Sequence, residues 1–179
     1  MLTTENTALI VIDVQEKLTR VMHEKERFLE NLQKLIQGAQ ALGIPIILTE
    51  QNPQGLGPTV PEVAHLIPNL QPIAKFSFSC CGDQRFAQEL AALHRKQALL
   101  AGIETHVCIY QTSLDLLSQG YEVQVVADAV ASRTAENKDI GLEKTKSEGA
   151  SLTSTETALF ELLKVAEGEK FKEIIKIVK

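Results

Sequence analysis

The chain has no Lys/Arg-rich block. Eighteen basic residues stand against twenty-three acidic ones across 179 positions, for a formal charge of −5. Without a basic track for phosphates, nucleic acid is not an expected partner. Long apolar runs are absent too. None reaches the roughly 18 residues of a membrane span, and Met1-Leu2-Thr3-Thr4-Glu5 has no basic segment leading into an apolar one, so neither a membrane association nor an export signal is expected and the protein reads as cytoplasmic. Cysteine is scarce and odd in number. Cys80, Cys81 and Cys108 fit reduced thiols better than a disulfide framework, and no CxxC or HxxxH spacing supplies a metal site from one segment. Gly55-Leu56-Gly57 lacks the third glycine of a dinucleotide fingerprint. No metal and no cofactor are therefore expected.

What is present is a regular alternation of apolar strands and amphipathic helices. A hydrophobic content of 44% over this length supports one well-buried core, hence a single domain over residues 1–179. Residues 7–14 form a continuous apolar run, as expected of a strand covered on both faces. From 24 to 42 the apolar positions recur at helical spacing until Gly43. Further strands are expected at 44–49, 71–75, 97–101, 121–127 and 150–153. Further helices are expected at 82–93, 106–119, 136–148, 154–164 and 169–178. Right-handed βαβ crossovers then give an α/β fold, a three-layer, doubly wound, six-stranded parallel sheet whose ligand site lies at the carboxyl ends of the strands. The turn-rich stretch Gln51 to Pro61 is expected as a loop beside that site, either a plain connection or a substrate-contacting lid.

Three strand ends carry complementary chemistry. Asp13 follows Ala8-Leu9-Ile10-Val11-Ile12, Lys75 follows Gln71-Pro72-Ile73-Ala74, and Cys108 lies where an apolar strand passes into a helix. An ordinary thiol is only a few per cent thiolate at neutral pH, so the helix start and Lys75 are expected to activate Cys108, with Asp13 accepting its proton. Backbone N–H groups of the turn from Glu104 to Cys108, with Lys75, are the candidate oxyanion donors. Gln15, Gln51, Phe76, Phe78, Ile103 and Ile109 flank these positions as candidate substrate-binding residues. Thr105 is a candidate helix cap. His106 is peripheral, because residues two apart on a helix point to different faces. The ordinary readings stay open: a lone Cys as a small core residue, an Asp capping a turn, a solvated Lys, and aromatic or aliphatic neighbours as core.

Ile10-Val11-Ile12-Asp13-Val14-Gln15, Lys75-Phe76-Ser77-Phe78-Ser79 and Gly102-Ile103-Glu104-Thr105-His106-Val107-Cys108 together resemble the isochorismatase-like cysteine hydrolases, over about residues 7–165. The string from Leu48 to Val60 and the tail Phe171-Lys172-Glu173-Ile174 are most similar to the isochorismatase-domain-containing proteins shared by animals and bacteria. The resemblance implies an Asp13, Lys75, Cys108 triad, with Cys108 attacking an amide, imide or related C–N bond of a small molecule through a thioester-type intermediate. It also implies a non-proline cis peptide near Ile103-Glu104 and a homo-oligomer. Two departures narrow it. Metal-dependent nicotinamidases of the family carry an Asp-x-His pattern after the second strand, where this chain has Thr49-Glu50-Gln51-Asn52, and true isochorismatase acts without a cysteine nucleophile. The competing expectations are a non-catalytic binding or scaffold protein on the same fold, and a redox-sensing thiol protein.

Overall fold

A computed structural model describes all of residues 1–179. Its six strands are β1 (Thr7–Ile12), β2 (Ile46–Gln51), β3 (Ile73–Lys75), β4 (Gln97–Ile103), β5 (Glu122–Ala131) and β6 (Ser151–Thr153). They form one all-parallel sheet in the order β3-β2-β1-β4-β5-β6. The nine α-helices are α1 (Glu16–Thr19), α2 (Lys25–Leu42), α3 (Pro53–Leu56), α4 (Pro61–Ala64), α5 (Gln84–Ala92), α6 (Tyr110–Ser118), α7 (Ala135–Ser147), α8 (Thr155–Leu163) and α9 (Gly168–Val178). A 3-10 turn spans Cys80–Gly82 and a π-helical turn spans Thr105–Ile109.

Strand β1 shows why the sheet is sandwiched. Alternate residues of a strand face opposite sides, and here both sides are apolar. Leu9 and Val11 join a core cluster built with Phe28, Leu32 and Leu35 of α2 and Ala158, Leu159 and Leu162 of α8. Ala8, Ile10 and Ile12 join the other, with Phe86 and Leu90 of α5 and Leu116 of α6. Helix starts are fixed by side chains that satisfy free N–H groups: Asp83 accepts from Arg85 and Phe86 N–H, Thr134 from Asn137 and Ser154 from Thr157. Gly43 closes α2 in a left-handed conformation at φ 73°.

The strand order reverses between β1 and β4, which opens a crevice at their carboxyl ends. Gly102 keeps these ends together. It sits at φ +120°, and a Cβ there would strike the Ile12 carbonyl oxygen.

The expected fold is the observed one, with local corrections. The first strand stops at Ile12 instead of residue 14, because Asp13 turns into the left-handed region at φ 56°. The stretch from Gln51 to Pro61 is not a plain loop: it carries α3 and starts α4, each with proline at its first turn, where a missing N–H costs nothing. Short α1 precedes it, and Gln15 pairs with Thr59 as an isolated bridge. Strand β5 runs on to Ala131 through a register shift against β4 between Leu100 and Gly102.

Candidate active site at the carboxyl edge of the sheet

The ends of β1 and β3 and the turn after β4 bring Asp13, Lys75 and Cys108 together. Lys75 is fully buried, and its Nζ donates to Asp13 Oδ2 at 2.7 Å and lies 3.9 Å from Cys108 Sγ. Three further oxygens surround the ammonium: Gln51 Oε1 at 2.8 Å and the Ser77 and Phe78 carbonyls, each at 3.1 Å. An ammonium has three protons, so this shell of acceptors fits the charged form and holds it in place. Burial works against the charge, and the Asp13 carboxylate with the neighbouring sulfurs outweighs it, so the Lys75 pKa is raised.

Asp13 is also fully buried. Its N–H donates to the Thr49 carbonyl at 3.1 Å, and its Oδ1 accepts from the Thr49 hydroxyl at 2.7 Å. Cys108 is almost fully buried, 6% exposed. Burial, and next the Asp13 carboxylate to which the thiol hydrogen-bonds, push the Cys108 pKa well above the ordinary thiol range, and Lys75 offsets only part of this. That corrects the expectation of an activated thiolate. The resting group is a neutral thiol beside a carboxylate–ammonium pair, so it loses its proton only to a base in contact with it.

The turn bearing Cys108 is shaped from below and beside. The Ile103–Glu104 peptide is cis. The Glu104 carbonyl accepts from Val107 N–H at 3.1 Å and from Ile109 N–H, just beyond the turn, at 3.2 Å, which occupies the Val107 N–H of the expected oxyanion turn. The Glu104 carboxylate pairs with Arg133 Nε at 3.0 Å. Gly141 of α7 lies against the turn, where a Cβ would come within 2.7 Å of His106 N. Thr105 does not cap: its hydroxyl is buried with no hydrogen-bond partner. His106 faces away to Ser132, with Nδ1 3.0 Å from its Oγ.

The flanking candidates divide by what their polar atoms already do. Gln15 is buried and donates to the Gln51 and Gly57 carbonyls at 3.0 and 2.7 Å while accepting from Gln51 N–H at 2.7 Å. Gln51 accepts from Lys75 and donates to the Phe76 carbonyl at 2.8 Å. Both glutamines thus build the wall that holds Lys75. Ile103 and Ile109 are fully buried, one in each core cluster, so in the single protomer they pack and do not line an opening. Phe76 and Phe78 are the reverse, 79% and 54% exposed. None of Asp13, Lys75 or Cys108 lines the five principal cavities of the protomer. No group of three or more His, Cys, Asp or Glu side chains is arranged to hold a metal ion. Thr49 and Cys80 complete the cluster without having been expected there. Their only advance sign was Thr49 lying two residues before Gln51 on one strand, which turns both to the same face.

A family model described as Isochorismatase domain matches residues 7–157, the span that contains all three groups. The chain belongs to the isochorismatase family. Isochorismatase domain-containing protein 2 of Danio rerio is 38% identical over 177 residues, covering 99% of this chain and 89% of that one. The secreted isochorismatase effector Isc1 of Phytophthora sojae is 36% identical over 178 residues, covering 97% and 85%. Among solved structures, the MAR1 ribonuclease of Caenorhabditis elegans superposes with a TM-score of 0.93 at 35% identity, covering 99% and 91% of the two chains. YcaC of Pseudomonas aeruginosa, bound to hexane-2,5-diol and covalent acrylamide, gives a TM-score of 0.92 at 26% identity, covering 98% and 90%. These isochorismatase-family likenesses support a hydrolase on an α/β fold. No helix is long and apolar enough to cross a membrane.

Proposed function

We propose that this family member is a metal-independent cysteine hydrolase that cleaves an amide, imide or related C–N bond of a small molecule. The observation that carries the reading is the 3.9 Å approach of Cys108 Sγ to an ammonium already paired with Asp13 at 2.7 Å. Because the resting thiol is neutral, attack on the carbonyl carbon and transfer of the thiol proton to Asp13 go together. A C–S bond forms and the carbonyl π bond opens to an oxyanion, which Lys75 and the backbone N–H groups of Glu104 and Cys108 stabilise. Asp13 then gives its proton to the departing nitrogen as the C–N bond breaks, leaving a thioester. Water, deprotonated by Asp13, attacks the thioester and releases the acid, and the proton returns to Cys108. No cofactor enters this cycle.

The whole chain acts as one domain, in the cytoplasm, and as a homo-oligomer. Phe76 and Phe78 support the oligomer: their carbonyls hold the Gln51 amide and the Lys75 ammonium, while the two residues are exposed beside a triad that lines none of the protomer's five principal cavities. A second copy covering them closes the pocket. Light scattering on the wild type and on Phe76→Ser/Phe78→Ser measures this, and a monomeric wild type sinks it.

Intact-mass analysis after exposure to a panel of amides and imides tests the reaction. An acyl adduct on Cys108, turnover lost in Cys108→Ala and retained in Cys80→Ala, is the expected result; equal turnover in both variants overturns it. The ribonuclease name of the 35% identical structure favours a second reading, hydrolysis of RNA. A charge of −5 without a basic block weighs against it, and RNA cleavage that survives in Cys108→Ala would establish it.

A further inference from the structure

The structure assigns Thr49 as the positioning residue of Asp13: its hydroxyl fixes the carboxylate's orientation and sets its strength as the base that takes the Cys108 proton. This rests on the reading of Asp13 as the base. Thr49 grips the residue twice, its carbonyl accepting the Asp13 N–H at 3.1 Å and its hydroxyl donating to Oδ1 at 2.7 Å, while Lys75 takes Oδ2 at 2.7 Å. Each carboxylate oxygen thus has one fixed donor, and a lone pair is left for the thiol.

The direction of the contacts follows from proton counting. A threonine hydroxyl has one proton, and an ionised carboxylate only accepts, so the Thr49 proton goes to Asp13. Cys80 Sγ lies 3.9 Å from Thr49 Oγ1 and is fully buried, so its S–H is the donor in that contact. The Cys80 backbone N–H is held at 3.0 Å by Thr112 Oγ1, one helical turn beyond Cys108, which ties this second thiol to the nucleophile's own helix. The result is a one-way chain from the Cys80 thiol through the Thr49 hydroxyl to Asp13. The groups facing Asp13 are Lys75 from β3, Cys108 from the π-helical turn, Cys80 from the 3-10 turn and Thr49 from β2. Donation from Thr49 stabilises the ionised carboxyl, so it gives the borrowed proton back readily to a leaving nitrogen.

The test follows alkylation of Cys108 by acrylamide against pH, read by intact mass, in the wild type and in Thr49→Val, Thr49→Ser, Thr49→Ala, Cys80→Ala and Asp13→Asn. Alanine is carried beside valine because it removes the hydroxyl without setting a methyl group against Asp13. The acid limb should move up by about one pH unit in the Val and Ala variants, a tenfold change in proton affinity, move up less in Cys80→Ala, which removes only the outer donor, and stay with the wild type in Thr49→Ser. Asp13→Asn should react at least about tenfold more slowly at neutral pH, where the thiol needs a base to lose its proton. Wild-type rates in Asp13→Asn overturn the reading of Asp13 as base. Slow Asp13→Asn with wild-type limbs in Thr49→Val and Thr49→Ala overturns the Thr49 assignment alone.

Discussion

Replacing Lys75 with Met removes the ammonium and keeps most of the side-chain volume, so the consequence is electrostatic. In the native protein the ammonium lies among Asp13 Oδ2, Gln51 Oε1 and the carbonyls of Ser77 and Phe78, all within 3.1 Å and with no solvent access. Lys75→Met leaves the Asp13 carboxylate buried with the Thr49 hydroxyl as its one remaining side-chain N–H or O–H donor in the native hydrogen-bond set. Removing one partner of a buried pair costs about 3–5 kcal/mol, chiefly for the charge left behind. For a chain of this length that corresponds to a fall in Tm of roughly 6–20 °C. Asp13→Asn should cost less, because Lys75 keeps three oxygen acceptors. The double variant Lys75→Met/Asp13→Asn should recover most of the loss, since no charge then remains. A sign in pH follows. An unpaired buried carboxylate costs more than a neutral carboxyl, so the Lys75→Met protein should lose stability relative to wild type as pH rises from 5 to 8. Urea denaturation of the four proteins at pH 5 and pH 8 measures all of this. A Lys75→Met protein within about 1 kcal/mol of wild type at pH 8, with no pH slope of its own, would refute the reasoning.

Other outcomes are equally specific. Wild-type stability should decline above about pH 8.5, where unfolded cysteines ionise, because burial keeps the Cys80 thiol protonated in the folded state up to about 12. Cys80→Ala should flatten that decline by on the order of 1.4 kcal/mol per pH unit, readable from urea midpoints at pH 8.5 and 10. Gly102→Ala meets both a forbidden φ and the Ile12 carbonyl, so it should cost at least about 3 kcal/mol or prevent folding, as followed by circular dichroism. Gly141→Ala should displace the turn at His106 and lower the Cys108 alkylation rate more than tenfold while shifting Tm modestly, because α7 packs from outside the sheet.

The sheet was legible because its strands are covered on both faces, and a run such as Thr7–Ile12 has few other uses. Placement of Asp13, Lys75 and Cys108 at one edge followed from topology alone, since every parallel strand delivers its carboxyl end to the same side. Orientation was not legible. Gln15 and Gln51 looked like free amides beside a cleft, yet their hydrogen bonds are spent on the chain itself, which only tertiary contacts decide. The protonation state of Cys108 was not legible for the same reason: strand-end position advertises N–H groups, whereas burial and the contact with Asp13 outweigh them. Thr49 and Cys80 carry no motif, so their approach to Asp13 appears only once β2 and the 3-10 turn are in place.

The central claim is that Cys108 is a nucleophile driven by Asp13 and held by Lys75. Peptide-mapped mass spectrometry after a brief exposure to an amide electrophile tests it most directly, with wild type, Asp13→Asn and Cys80→Ala run side by side. The account requires one adduct, on Cys108, formed at similar rates in wild type and Cys80→Ala and at least about tenfold more slowly in Asp13→Asn. Labelling spread evenly over Cys80, Cys81 and Cys108, or an Asp13→Asn rate equal to wild type, would contradict it.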